Sequence, residues 1–213
     1  IVACGLCGQK SKHALIISYS QFGAPDLDGR PAPMLRNTMP YWVYECPYCG
    51  YARDNLNRPC ELTKTELKAL YDAVETRYPR DDHPWLQQYR ERLLQDALNP
   101  DSNKTRILRG EYHIGIELAK QFLKYGKLLA KTGENAEAAR QFLHAAWLFE
   151  DERKPDDAAV WRRAAIEQAV LALKNPDLKK RNELFTMLVY MLRRVGGVNA
   201  VVKLKTPGWP YCC

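Results

Sequence analysis

The chain has 213 residues, 46% hydrophobic and 27% charged, the balance of an ordinary globular protein with room for one large domain or a small one and a medium one. No run of about 18 apolar residues occurs, which argues against a membrane span and a membrane partner. The formal net charge is +7, and the excess is local. Residues 174–213 carry eight Lys/Arg against two Asp/Glu, whereas residues 63–173 carry eighteen of each.

The first 62 residues read as a small module built around two matched motifs, Cys4-Gly-Leu-Cys7-Gly8 and Cys46-Pro-Tyr-Cys49-Gly50. Two thiolates three residues apart can grip one metal ion from a tight turn. The glycine after each pair lets the backbone turn and aim its amides at the sulfurs. Two such knuckles complete a closed tetrahedral shell, so Cys4, Cys7, Cys46 and Cys49 are expected to hold structural zinc. Iron is the alternative, because the same paired spacing serves rubredoxin-type electron carriers; disulfides are the other competitor. His13, close to the first knuckle, is placed to donate to a ligand sulfur.

Leu15–Tyr19 and Tyr41–Glu45 are β-branched and aromatic and predict two strands. The stretch between Gly23 and Pro33 is rich in Gly, Pro and Asp and predicts a loop. Within it, Asp26 and Asp28 could bind a cation or act as an acid/base pair. Turn hydrogen bonds or a local ion pair with Arg30 are the simpler expectation. A piece this small buries little apolar surface, so the metal would supply much of its stability.

From residue 63 to 205 the pattern becomes helical. Thr63 or Thr65 caps a segment ending near Tyr78. A second runs from His83 to about Leu98, and a third from about Lys104 to Lys131. A fourth starts at Glu134 or Asn135, a fifth at Pro155, and a sixth follows the Asn175-Pro-Asp break and stops at Gly196-Gly197. Residues 206–213 form a tail ending in Cys212-Cys213. The fold class is therefore mainly α: a ribbon-like β module, then antiparallel helical pairs. Small Ala residues alternate with Phe142, Trp147 and Phe149, as close helix stacking requires, and the pattern is tetratricopeptide-like. A plain helical bundle is the competitor.

Together these residues resemble a bacterial family of uncharacterised proteins with a domain of unknown function, marked by an N-terminal CxxC and a later CPxCGYA before tetratricopeptide-like helices. The residues that carry the likeness are Cys4–Cys7, Phe22-Gly-Ala-Pro-Asp-Leu-Asp-Gly-Arg-Pro31, Cys46-Pro-Tyr-Cys49-Gly-Tyr-Ala52 and Phe142-Leu-His-Ala-Ala-Trp-Leu148. The resemblance implies a metal-binding module and a helical interaction domain, and it supplies no reaction.

No HExxH, GxSxG, P-loop or GxGxxG motif appears. His113 and Glu117 share helical i,i+4 spacing, but with no further ligand in phase they read as a surface pair. The leading expectation is a non-enzymatic adaptor that binds a partner protein through a helical groove. Trp147, Phe149 and Trp161 would belong to the core, or anchor a peptide if exposed. The alternative is nucleic-acid binding through Lys174, Lys179, Lys180, Arg181, Arg193, Arg194, Lys203 and Lys205 together with the ribbon. Metal thiolates, the spare Cys60 and an N-terminus without a basic or apolar leader are expectations of a reducing cytoplasm.

Overall fold

The computed structural model describes residues 1–19, 22–79, 91 and 115–196. The predicted segment 83–98, the start of the third helix, His113, Gly197, Lys203, Lys205 and the tail with Cys212 and Cys213 lie outside these residues. Six α-helices and two small antiparallel sheets of two strands each make the described fold mainly helical. The first sheet pairs β1 (Val2–Ala3) with β2 (Lys10–Ser11), and the second pairs β3 (Tyr44–Glu45) with β4 (Ala52–Arg53). Each hairpin therefore closes around one CxxCG knuckle.

This corrects the strand expectation. Leu15–Tyr19 forms no strand, and Leu15, Ile17 and Tyr19 are exposed. Of Tyr41–Glu45 only the last two residues are strand. Pro40 sits in a 3-10 turn, Met39–Tyr41, that precedes them. The partner of each strand is supplied locally, across its own knuckle, so no strand is needed from the excursion between them. That excursion holds one short helix, α1 (Pro33–Arg36).

α2 (Lys64–Arg77) starts at Thr63. The Glu66 backbone N–H donates to the Thr63 hydroxyl at 3.3 Å, and the Glu66 carboxylate accepts from the Thr63 backbone N–H at 3.0 Å, a reciprocal cap. α3 (Ile116–Lys131) buries Leu118, Phe122, Leu123, Leu128 and Leu129. Gly126 is required where α3 meets α4 (Asn135–Asp151): a Cβ there would lie 2.7 Å from the Phe142 ring. α5 (Pro155–Leu173) opens with Pro155, Asp156 and Asp157, which suit the missing donors and positive dipole end of a first turn. Its Ala158, Ala165, Ala169 and Ala172 are buried, as are Ala139, Ala145 and Ala146 of α4, where small residues were expected to allow close stacking.

α6 (Arg181–Gly196) begins later than the Asn175-Pro-Asp signal implied. The Asn175 side chain instead accepts from the Asp177 backbone N–H at 3.0 Å, forming a turn, and Lys180 has φ of 59°. Each of α3 to α6 packs on the next, and α2 and β4 pack on α3. One apolar cluster runs from Cys4, Val43 and Cys46 through Phe122, Phe142 and Phe149 to Leu188 and Met191.

His144 sits inside this cluster, its ring 5.0–5.2 Å from those of Trp42, Phe122 and Trp147. Burial, and then the Arg140 charge, push its pKa down to about 3, so the folded chain keeps it neutral. The unfolded chain takes up a proton near pH 6.5 that the folded chain refuses. Stability from this residue is thus present above about pH 6.5 and is lost as pH falls toward 3, at up to about 1.4 kcal/mol per pH unit. Urea unfolding between pH 7 and 4 should show a shallower acid loss in His144→Leu than in the wild type.

Candidate metal centre

Local sequence builds the two halves of the site in the same way. In the first knuckle Cys4 N donates to Gln9 O at 2.9 Å and Gly8 N to Cys4 O at 2.8 Å. In the second, Cys46 N donates to Tyr51 O at 2.8 Å and Gly50 N to Cys46 O at 2.9 Å. Gly8 and Gly50 have φ of 73° and 72°. A side chain is strained in that left-handed conformation, which is the reason for glycine after each second cysteine. In each knuckle the first cysteine is buried and the second half-buried.

The turns aim backbone N–H groups at sulfur, as the spacing implied. Leu6 N donates to Cys4 Sγ at 3.4 Å, Gln9 N to Cys7, Tyr48 and Cys49 N to Cys46, and Tyr51 N to Cys49. Donors of this kind favour thiolate over thiol.

The hairpins bring all four Sγ atoms within 4.8 Å of one another. Two of the separations cross between knuckles: Cys4 to Cys49 at 3.6 Å and Cys7 to Cys46 at 3.7 Å. A tetrahedron with metal–sulfur bonds of about 2.3 Å has edges of about 3.8 Å. A disulfide needs about 2.05 Å, and all four cysteines are free. The arrangement fits a tetrahedral thiolate site and could hold a metal ion.

Electrostatics at the four sulfurs are uneven. Burial pushes the Cys46 thiol up to about 11 and raises that of Cys49 as well. Burial also works against ionisation of Cys7. There the Gln9 N–H and the neighbouring thiols outweigh it and the pKa is lowered. Four sulfurs this close cannot all be anionic without a cation among them, so metal entry must displace protons.

His13 Nε2 is 2.8 Å from Ser11 Oγ and its ring edge packs on Tyr44, 5.5 Å between centroids. Cys60 is half-buried, and burial raises its thiol; it is not among the clustered four. Glu117 pairs with Lys120 at 3.3 Å.

In the acidic loop the expected turn hydrogen bonds form, with the Arg30 backbone N–H donating to Asp28 at 3.3 Å, but the Arg30 side chain does not make a local ion pair. Arg30 leaves the loop to pair with Glu150 and Asp151 at the end of α4, at 3.6 and 2.5 Å. Asp28 accepts the Trp147 indole N–H at 2.9 Å, and Asp26 pairs with Arg36 at 3.3 Å. Trp147, Phe149 and Trp161 are buried, with the Trp161 indole donating to Tyr78 Oη at 2.8 Å. They belong to the core and are not exposed as anchors for a peptide.

Sequence reasoning missed how the metal module joins the helices. Arg53, just past the second knuckle, is 1% exposed; it donates to Glu134 at 3.1 Å and to Tyr51 Oη at 3.1 Å. Lys124 of α3 lies between Glu45 and Glu75, each at 2.9 Å. Burial acts to lower its pKa, but the two carboxylates raise it, so it stays charged. Tyr125 Oη donates to Asp54 at 2.8 Å, and Ala52 N donates to Tyr71 Oη at 3.2 Å. The only advance signal was Glu and Arg placed among apolar strand residues.

No protein-family model, curated protein or solved structure matches the chain. The likeness to the bacterial metal-module family rests on the motifs alone.

Cobalt(II) added to metal-free chain should give the intense visible bands of a tetrahedral thiolate complex at one equivalent. Cys46→Ser should weaken or abolish them, and Gly50→Val should lower the affinity because φ at residue 50 is positive.

Proposed function

We propose that this protein is a non-enzymatic scaffold in which Cys4, Cys7, Cys46 and Cys49 hold structural zinc and the body binds a partner protein. The observation that carries the metal half is the set of cross-knuckle Sγ separations, 3.6 and 3.7 Å, close to the edge of a zinc–thiolate tetrahedron. Four protein ligands leave no open position for a substrate, so the metal's task is to hold the fold. Closed Cys4 shells of this kind are the usual form of structural zinc.

Zinc is preferred to iron on the surroundings of the site. Cys4 and Cys46 belong to a core continuous with the helices, and Cys7 and Cys49 pack against it, which suits a staple better than an electron carrier that must meet donors and acceptors. No helix among the described residues is long and apolar enough to cross a membrane.

The partner half rests on surface chemistry. Six large apolar side chains, Leu15, Ile17, Tyr19, Phe22, Leu27 and Met34, are exposed on the excursion between the knuckles. Exposed apolar side chains on one segment offer a partner apolar area to bury. Under this proposal the partner meets this excursion, since Trp147, Phe149 and Trp161 are buried.

Nucleic-acid binding is the second reading. It draws on Lys174, Lys179, Lys180 and Arg181, gathered around the turn before α6. Arg193 and Arg194 lie about 18 Å away along the helix, at about 1.5 Å per residue, so the described basic residues form two groups.

Purified protein should be colourless and carry one zinc per chain. Affinity capture with the native chain, repeated with Ile17→Asp/Tyr19→Asp, should lose a reproducible protein partner; equal capture by both, or a red iron-loaded sample, contradicts the proposal.

A further inference from the structure

Past β2 the chain runs through Ala14-Leu-Ile-Ile-Ser-Tyr19, a stretch that enters no helix, strand or turn. Among the described residues, none of its backbone N–H or C=O groups makes a hydrogen bond. Leu15, Ile17 and Tyr19 alternate along it and are exposed, Ile17 by 99%. The stretch is β-branched and aromatic, with no charge, no Gly and no Pro. A segment of this composition, with backbone and apolar side chains both in water, is a ready template for another strand. The strand that its composition predicts finds no partner within the described chain.

Its own copy fits. In an antiparallel pair centred on Ile17, Ile17 faces Ile17, Leu15 faces Tyr19 and Ile16 faces Ser18. Directly opposed residues point to the same side of a sheet, and side chains alternate along each strand. The exposed apolar side chains of both copies therefore share one face. A slip of one residue would oppose Leu15 to Ser18 and Tyr19 to Ala14, and would scatter the set over both faces. Charge selects the direction. Parallel pairing in register would bring Lys12 beside Lys12, whereas antiparallel pairing holds them about ten residues, or ~33 Å, apart.

We propose that residues 14–19 are a self-pairing strand through which two copies of this chain join as an antiparallel dimer, with the two-fold axis at Ile17. The inference rests on the reading that this excursion meets a partner, and names a second copy as that partner. Each copy presents the same patch to the other, as two-fold symmetry requires. The contact is small, below the roughly 1,200 Å² of stable complexes, so association is weak. Each chain carries a formal charge of +7, so salt strengthens it by screening the repulsion.

Sedimentation velocity on the zinc-loaded full chain tests the dimer. The average mass should rise from one chain toward two between about 5 and about 200 µM, the range of weak contacts. Ile17→Lys and Ile17→Glu, each with an unchanged melting temperature, should associate about tenfold more weakly, because like charges then face each other across the axis. Mixed in equal amounts, the two variants should pair about fivefold more tightly than either does alone. A wild type that stays monomeric throughout, variants that dimerise as the wild type does, or no gain on mixing overturns the self-pairing strand. A monomeric wild type whose captured partner is still lost in Ile17→Asp/Tyr19→Asp would overturn it while leaving the adaptor reading standing.

Discussion

Four sulfurs from two hairpins, with 38 residues between Cys7 and Cys46, must meet within 4.8 Å, and the rest of the fold depends on that meeting. Neither hairpin could stand alone: each has two residues per strand, and isolated two-stranded ribbons are marginal in water even when longer. A metal ion at the sulfurs would supply what the strands cannot, and would close a loop whose ordering otherwise opposes folding. The excursion between the knuckles is then free to be irregular. It is fixed at its far side by Asp28 and Arg30 against the end of α4 rather than by strand pairing.

The consequences of the shell extend into the helices. Lys124 and Arg53 are buried charges that each take a partner from the other part of the chain, Glu45 for Lys124 beside its helical partner Glu75, and Glu134 for Arg53. Removing one member of such a pair strands the other and typically costs about 3–5 kcal/mol, more than the pair itself contributes. Glu45 immediately precedes Cys46, so a shift in the second knuckle moves a carboxylate on which a buried lysine of α3 relies. Neutral contacts run the same way, through Cys4, Cys46, Tyr51 and Ala52 in the core that continues to Phe122 and Leu129. The metal site is therefore coupled to helices it does not touch.

Much of this was legible in the sequence, for identifiable reasons. The knuckles announced themselves because ligand spacing and the following glycine are local requirements, met within five residues. Among the described residues, the helices at 64–77, 135–151 and 155–173 were readable from periodicity, from Thr63 with Glu66, and from Pro155. The strands were not. Leu15–Tyr19 has strand composition, yet the pairing that won is set by knuckle geometry at Lys10–Ser11, which has none. The role of Arg30 was equally hidden. Its partners lie 120 residues further on at Glu150 and Asp151, and no local rule links a Pro-rich loop to the end of a helix. Trp147 was correctly a core residue, but its indole partner Asp28 could be found only in three dimensions.

The knuckles form a site that could hold a metal ion, and under the scaffold proposal selectivity would lie on the surface. The account's central claim is that metal at the four cysteines sets the stability of the helical body as well as of the ribbon. Its most direct test is urea unfolding followed by far-ultraviolet circular dichroism, on zinc-loaded protein and on protein stripped by a chelator under reducing conditions. The account predicts that stripping moves the helical transition itself to markedly lower urea, and that restoring zinc reverses the shift. A helical transition unchanged by metal removal would contradict it.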